Sequence, residues 1–324
     1  MNNSEREFSL KNDLEYAVNT MKSDYGVDAD IKVSVYDIRD KLSVNVRGDI
    51  SGWAASTIKL PIMVGVLRDV ESGRHNLLDK LVVDHRLVLE KYDYFSRVPD
   101  GSLATISSLL YEMIVNSDNT ATNILLKDIG IEEVNNMMWD MGMKRSMIGH
   151  LLCPGVPRYI SSFNPDGSNI TCPNDMVEFM RNIYDPNITF LSPLVKGISD
   201  TILSATHPSF FSFGGFPSHK IKTKSGVIHD EKAGDDMHET GIIDDHLIVS
   251  IMLNKIGQNK TRAETLAGYF IPQRGEVISE VPDSLTPVHE VYSCLLEIIN
   301  RNVKLGQSIR DPFTNNGKTI VASA

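Results

Sequence analysis

Apolar positions along the chain follow two periods. Over residues 8–26, Leu10, Leu14, Val18 and Met21 recur at helical spacing and Gly26 closes the run. "DIKVSVYDI" and "KLSVNVRG" then alternate apolar and polar positions around a short Arg39-Asp40 turn, which predicts a β-hairpin. Ser56 opens "STIKLPIMVGVL", a run apolar on nearly every side, the mark of a helix buried all round. A long helical stretch is expected from about Asp69 to Gly130, broken by loops near Asp93 and Gly101. Thr171 reads as the cap of a further helix, with Pro173 in its first turn and Met176, Phe179, Met180 and Ile183 as its buried stripe. Past Phe210 the alternation returns in "SHKIKTKSGV", "ETGIID" and "HLIVSIML", and "PVHEVYSCLLEIINRNV" is the last helix.

The order is helix, two strands, a block of helices, three strands, helix. It predicts an α+β fold in which two early and three late strands share one antiparallel five-stranded sheet. The N- and C-terminal helices flank that sheet, and the inserted helices form an all-helical lobe. One domain is expected over about 8–305. Its α/β lobe takes about 8–55 and 205–305, its helical lobe about 56–204, and 306–324 reads as a loose tail.

Composition narrows the function. At 41% apolar and 23% charged residues, the 324-residue chain is ordinary globular protein. Its net charge of −10 argues against broad nucleic-acid binding, which needs a positive face. Three cysteines, Cys153, Cys172 and Cys294, cannot all pair, so no disulfide framework is implied. No apolar run approaches a membrane span and no secretory signal is seen, which makes a cytoplasmic address the expectation. The sequence does not set the oligomeric state.

Three short polar motifs carry the chemistry. Serine is a weak nucleophile unless a base adjoins it, and Lys59 lies one helical turn after Ser56 at the mouth of the apolar run. Burial disfavours the charged form of a lysine, so a desolvated Lys59 can take the serine proton. Ser117, Asp118 and Asn119 interrupt two apolar helices and read either as a cap or as a polar knuckle facing a cleft. Lys224, Ser225 and Gly226 end a strand. Gly226 would allow close approach to the backbone, or the segment is an edge strand defended by Lys220, Lys222 and Lys224.

In this order the motifs "STIK", "SDN" and "KSG" resemble those of the penicillin-recognising serine enzymes, and of class A β-lactamases above all. The gaps of about sixty and about a hundred residues suit that family. "SDNTATNILL" and "TCPNDMVEFMRNIY" look like two of its helices, so the similarity spans roughly residues 10–300. The resemblance implies that Ser56 attacks an amide carbonyl while Lys59 and Ser117 move its proton. It implies an oxyanion hole from the backbone N–H groups of Ser56 and Val227. Asn119 would position the acyl side chain, Lys224, Ser225 and Gly226 the carboxylate end, and Tyr92 an aromatic wall. No cofactor and no metal are implied, and the partner is a small-molecule amide or β-lactam.

Two departures qualify the expectation. The family's omega loop carries a glutamate that activates the deacylating water, yet no glutamate occurs between Glu133 and Glu178. Asp166 in "NPDGS" is the sole carboxylate between 149 and 173, and it reads as a turn residue. The family's carboxylate-binding arginine is replaced in its neighbourhood by Thr240, after an acidic segment holding His229, Asp230, Asp235, Asp236, His238 and Glu239. That segment reads as a solvated hairpin tip in preference to a metal site. Two alternatives to a hydrolase therefore stand: a D-peptidase or acyl transferase of the penicillin-binding type, and a sensor that stays acylated.

Overall fold

The computed structural model describes residues 2–25, 29–89, 91, 93–153, 157–206, 219–228, 230, 234–256 and 286–303. The expected hairpin is β1 (Asp30–Asp37) paired antiparallel with β2 (Leu42–Val46). β7 (Ile221–Ile228), β8 (Asp235–Ile243) and β9 (Leu247–Ile256) complete one antiparallel sheet in the order β2-β1-β9-β8-β7. The return of the chain beside its own beginning is set by β1 against β9, with Val33 opposite Ile251 and Val35 opposite Val249.

Strand alternation gives the sheet two unlike faces. Ile31, Val33, Val35, Met237, Ile243, Val249, Ile251 and Leu253 point to the outer face. There they join Leu10, Leu14, Val18 and Met21 of α1 (Asn3–Tyr25), and the C-terminal helix Thr286–Val303 adds Tyr292, Leu295 and Ile299. Each such leucine or isoleucine taken out of water is worth roughly 1.5–3 kcal/mol, which is why the helical spacing and the strand alternation meet in one core. On the inner face lie Lys32, Ser34, Asp236, His238, Thr240, Ser250 and Asn254, all buried, with Lys222, Lys224 and Gly226 on β7.

A second core fills the helices facing that inner side. It is built by α2 (Lys59–Glu71), α4 (Ile106–Val115), α5 (Asn119–Ile129), α6 (Ile131–Asp140), α7 (Pro173–Tyr184) and α8 (Pro193–Leu203). Met113, Met137, Met138, Met141 and Met143 are buried within it.

The structure corrects four local expectations. Ser56 does not open an α-helix; it sits in a 3-10 turn, Ala55–Ile58, and α2 begins at Lys59. Among the described residues 72–105 there is no long helix. Gly73 and Gly101 turn the chain at φ of 78° and 79°, and the short strands β4 (Lys80–Val82) and β5 (Leu103–Thr105) pair with each other. The third helix of the chain, α3, is only Tyr94–Arg97. Thr171 does not cap α7. It belongs to β6 (Ile170–Thr171), which pairs with β3 (Gly52–Trp53), and its hydroxyl bonds Ser146 Oγ at 2.8 Å, leaving Cys172 as the cap residue before Pro173.

The acidic segment is the largest correction. Asp235, Asp236, His238 and Glu239 form no solvated tip; they are the buried first half of β8. Local partners make this possible. Asp235 Oδ1 accepts from Asp230 N at 3.1 Å, Asp236 Oδ1 from Lys255 N at 2.9 Å, and Glu239 Oε1 from Thr223 Oγ1 at 2.7 Å. Burial still pushes the Asp236 carboxyl up to about 6. His229, Tyr92, Gly26 and the 306–324 tail lie outside the described residues.

Candidate active site

The turn that carries Ser56 is held from three directions. Ala54 N donates to Asn169 O at 2.8 Å, and His238 Nε2 meets Trp53 O at 2.8 Å. On the third side β7 presses so close that a Cβ added at Gly226 would stand 2.6 Å from Ser56 N. Ala55 pays for the tight fit with a left-handed φ of 47°, a conformation costing a non-glycine residue about 1–2 kcal/mol. Ser56 itself is half-buried at the surface of this turn.

One turn on, Lys59 has no exposed surface. Its ammonium donates to Ser117 O at 2.6 Å, Ser117 Oγ at 3.1 Å and Asn119 Oδ1 at 2.7 Å. These three acceptors match the three N–H bonds of a charged lysine, so the buried group is hydrogen-bonded as burial demands. A neutral amine has two N–H bonds and a lone pair, so conversion to a base frees one acceptor and opens a site for an incoming proton.

The Ser-Asp-Asn knuckle presents those acceptors because its middle residue anchors it. Asp118 caps α5 by accepting from Ala121 N at 2.7 Å, and its other oxygen accepts from Phe95 N at 3.0 Å. Asp93 returns the favour across the gap, accepting from Thr120 N and Thr120 Oγ1, both at 3.0 Å. Burial, and then the Asp118 charge, push the Asp93 carboxyl up to about 6. Between the two caps Ser117 takes a left-handed φ of 57°, which turns its carbonyl and hydroxyl toward Lys59. Asp118 thus realises the cap reading of this motif, while Ser117 and Asn119 turn toward Lys59.

Lys224 reaches the same hydroxyl from β7, donating to Ser117 Oγ at 3.1 Å and to Ser225 O at 2.7 Å. Neither Lys222 nor Lys224 is a solvated edge lysine: both are buried, and Lys222 is tied to Asp200 and Asp245. Burial, and then the charge of Lys59, push the Lys224 amine well below the ordinary lysine range, while Glu239 pulls it back up. Ser117 Oγ accepts from both ammoniums with its two lone pairs and keeps its own proton to donate. The three segments 56–59, 117–119 and 224–226 therefore meet around one hydroxyl. Ser225 and Val227 alternate to the other side of β7, at the free edge of the sheet, both half-buried.

Two side chains outside the three motifs support this meeting. Asn123 is fully buried in α5 and donates to Leu87 O at 2.8 Å and Leu152 O at 3.0 Å, while its Oδ1 accepts from Leu152 N at 2.5 Å. It pins the omega-region segment to the helix behind the knuckle. The other is His238. The sole signal for Asn123 was a lone polar residue inside a buried pattern, and His238 stood in the acidic segment that read as a solvated tip. Asp166 is exposed and closes its own turn, accepting from Ser168 N at 3.2 Å and Ser168 Oγ at 2.9 Å. Thr240 is buried against Ser250, hydroxyl to hydroxyl at 2.8 Å, and does not stand in for an arginine.

Known proteins resemble this arrangement at several levels. The beta-lactamase VEB-1 of Pseudomonas aeruginosa is 28% identical over 104 residues, 32% of this chain and 35% of that protein's length. Among solved structures, a beta-lactamase from Sphaerobacter thermophilus superposes with a TM-score of 0.69 at 18% identity, covering 92% of this chain and 98% of that one. A mutant of PBP-A in acyl-enzyme complex with penicillin G superposes with a TM-score of 0.68 at 20% identity, covering 90% and 97%. At these identities the solved structures establish the β-lactamase and transpeptidase fold. The profile of the beta-lactamase enzyme family matches residues 13–269, and with most of its length so covered the chain belongs to that family.

Proposed function

We propose that the protein is a serine hydrolase that opens a β-lactam or a related amide through an acyl-enzyme on Ser56. The observation that carries this reading is the sharing of Ser117 Oγ by Lys59 and Lys224, next to the Ser56 turn packed on Gly226. In the proposed reaction Ser56 Oγ adds to the carbonyl carbon and its proton passes to Lys59 as a neutral amine. The oxyanion is received by the backbone N–H groups of Ser56 and Val227. Ser117 delivers its proton to the departing nitrogen and is recharged from a neighbouring ammonium. Asn119 accepts from Lys59 through Oδ1, and its amide is assigned to the acyl side chain of the substrate. Lys224 and Ser225 receive the substrate carboxylate.

Deacylation needs a base for water, and the omega region supplies no glutamate. The carboxylate of Asp166 is occupied by its own turn. That observation favours, as a second reading, a long-lived acyl-enzyme of the penicillin-binding type.

Intact-protein mass spectrometry after addition of benzylpenicillin tests both readings. A transient adduct that disappears with turnover supports hydrolysis, and a persistent one supports the second reading. Equal labelling of the wild type and Ser56→Ala removes Ser56 from the mechanism.

A further inference from the structure

His238 has no exposed surface, lies outside the three motifs, and faces the nucleophile turn from below. It sits on β8 directly opposite Gly226, so the two share the inner face of the sheet. A Cβ added at Gly226 would meet Ser56 N, Ala55 Cβ and Thr57 N at 2.6, 2.9 and 3.0 Å, which places His238 beside the residue that forms the floor of the turn. Its Nε2 reaches up past that floor to Trp53 O at 2.8 Å. A carbonyl oxygen can only accept, so Nε2 carries the hydrogen. Burial pushes the imidazole down to about 4, with the Trp53 and Met237 backbone opposing the shift and Lys32 adding to it, so the ring is neutral. Nδ1 is buried without a hydrogen-bond partner.

An apolar side chain would fill this space without an orphaned nitrogen. What the imidazole adds is one donor aimed at the strand that leads into Ser56. The same backbone is held a second time. Asn254 Oδ1 accepts from Lys32 Nζ at 2.9 Å, and Lys32 also donates to Ser51 O at 3.3 Å. Gly52 packs on the Asn254 amide so closely that a Cβ there would lie 2.8 Å from it. Both sets of bonds leave the sheet for residues 51–53, immediately before the strained Ala55.

We propose that His238 is a positioning residue for acylation: its Nε2–H holds the Trp53 carbonyl and so fixes the Ala55–Ser56 turn, with its N–H and hydroxyl, against β7. The proposal rests on the reading of Ser56 as nucleophile, and His238 touches neither substrate nor reacting atoms.

Two substitutions separate the donor from the bulk of the ring. Glutamine places an N–H at about the reach of Nε2, whereas leucine fills the space without one. In the full chain, hydrogen exchange over residues 52–58, thermal melting, and stopped-flow acylation by a fluorescent penicillin are compared. Expected for His238→Leu is a folded protein with faster exchange confined to 52–58. Its acylation rate constant falls roughly 10- to 100-fold while penicillin Kd holds within about twofold, and His238→Gln recovers it to within about threefold. Wild-type acylation by a folded His238→Leu overturns the proposal, as does a glutamine variant no better than leucine. If penicillin does not label wild-type Ser56, the functional reading fails. The exchange measurement then still decides the tether: local deprotection in leucine and not in glutamine sustains it, and its absence overturns it.

Discussion

Gly226→Ala is the sharpest perturbation the site offers, because it adds one methyl group where the structure has no room. The glycine has no left-handed φ, so alanine carries no conformational penalty and the effect is purely steric. Ordinary contact for a Cβ begins near 3.4 Å, and the new atom would meet Ser56 N at 2.6 Å, a shortfall of about 0.8 Å. The neighbours are backbone nitrogens and Ala55 Cβ, with no flexible side-chain end to swing aside. The turn is already strained at Ala55 and braced from below, so β7 and the turn must part by most of that distance. Overpacking of this kind costs about 1–3 kcal/mol of stability. Its effect on chemistry is larger, since a displacement near 1 Å of a reacting group lowers rates by about 100-fold. The assay is the second-order rate of Ser56 acylation by a fluorescent penicillin, read beside the melting temperature. Gly197→Ala in α8 is the control: its Cβ meets nothing within 4 Å, and removing a helix glycine should stabilise by about 0.5–1 kcal/mol with no change in acylation. If Gly226→Ala is acylated at the wild-type rate with unchanged melting, the close approach of β7 to the nucleophile turn is not what the site depends on.

Three further outcomes follow from the same geometry. Asn123→Leu removes three hydrogen bonds from a fully buried position and strands the Leu152 backbone, so it should destabilise by about 2–4 kcal/mol and expose the omega-region segment to limited proteolysis. Asp93→Asn keeps acceptors for Thr120 and removes a charge. Because the folded carboxyl sits at about 6 against 3.8 unfolded, its protonated form stabilises fully below 3.8, and that stability is lost as the pH rises to 6. The variant should therefore gain about 1–3 kcal/mol over wild type at pH 8 and nothing at pH 3.5, and urea melts showing equal differences at both would refute the assignment. Lys224→Ala should raise the Kd of a carboxylate-bearing penicillin by about 10- to 100-fold and leave its methyl ester unaffected, as measured by pre-acylation binding kinetics.

The parts of this protein legible in its sequence are those where pattern and burial agree. α1, β1, β2 and β9 announce themselves because one face of each is apolar and meets one core. The three motifs are legible for a different reason: their chemistry needs particular side chains at fixed local spacing. "ETGIID" already read as a strand, but the first half of β8 was hidden because it opens with acidic residues that strands usually lack, and their buried partners come from β7, β9 and Asp230. β4 and β5 were hidden by their length, since three residues carry no period. Asn123 looks like a blemish in an apolar pattern and His238 like one more polar residue of an acidic run, and their meaning appears only when Leu152 and Trp53, distant in sequence, arrive beside them. Lys222 looked like a surface charge for the same reason: Asp200 and Asp245 are remote along the chain.

The two unlike sides of the central sheet divide the risk of mutation. Substitutions among Val33, Val35, Val249, Ile251 and the helix residues over them change how well the slab is upholstered, and the strands stand between those atoms and the reacting ones. Changes on the reverse side, at Asn254 or Lys32, reach the backbone that leads into the Ser56 turn through two polar bonds. A programme to make the protein hardier should therefore work under the terminal helices, where gains in durability are insulated from turnover by one layer of backbone.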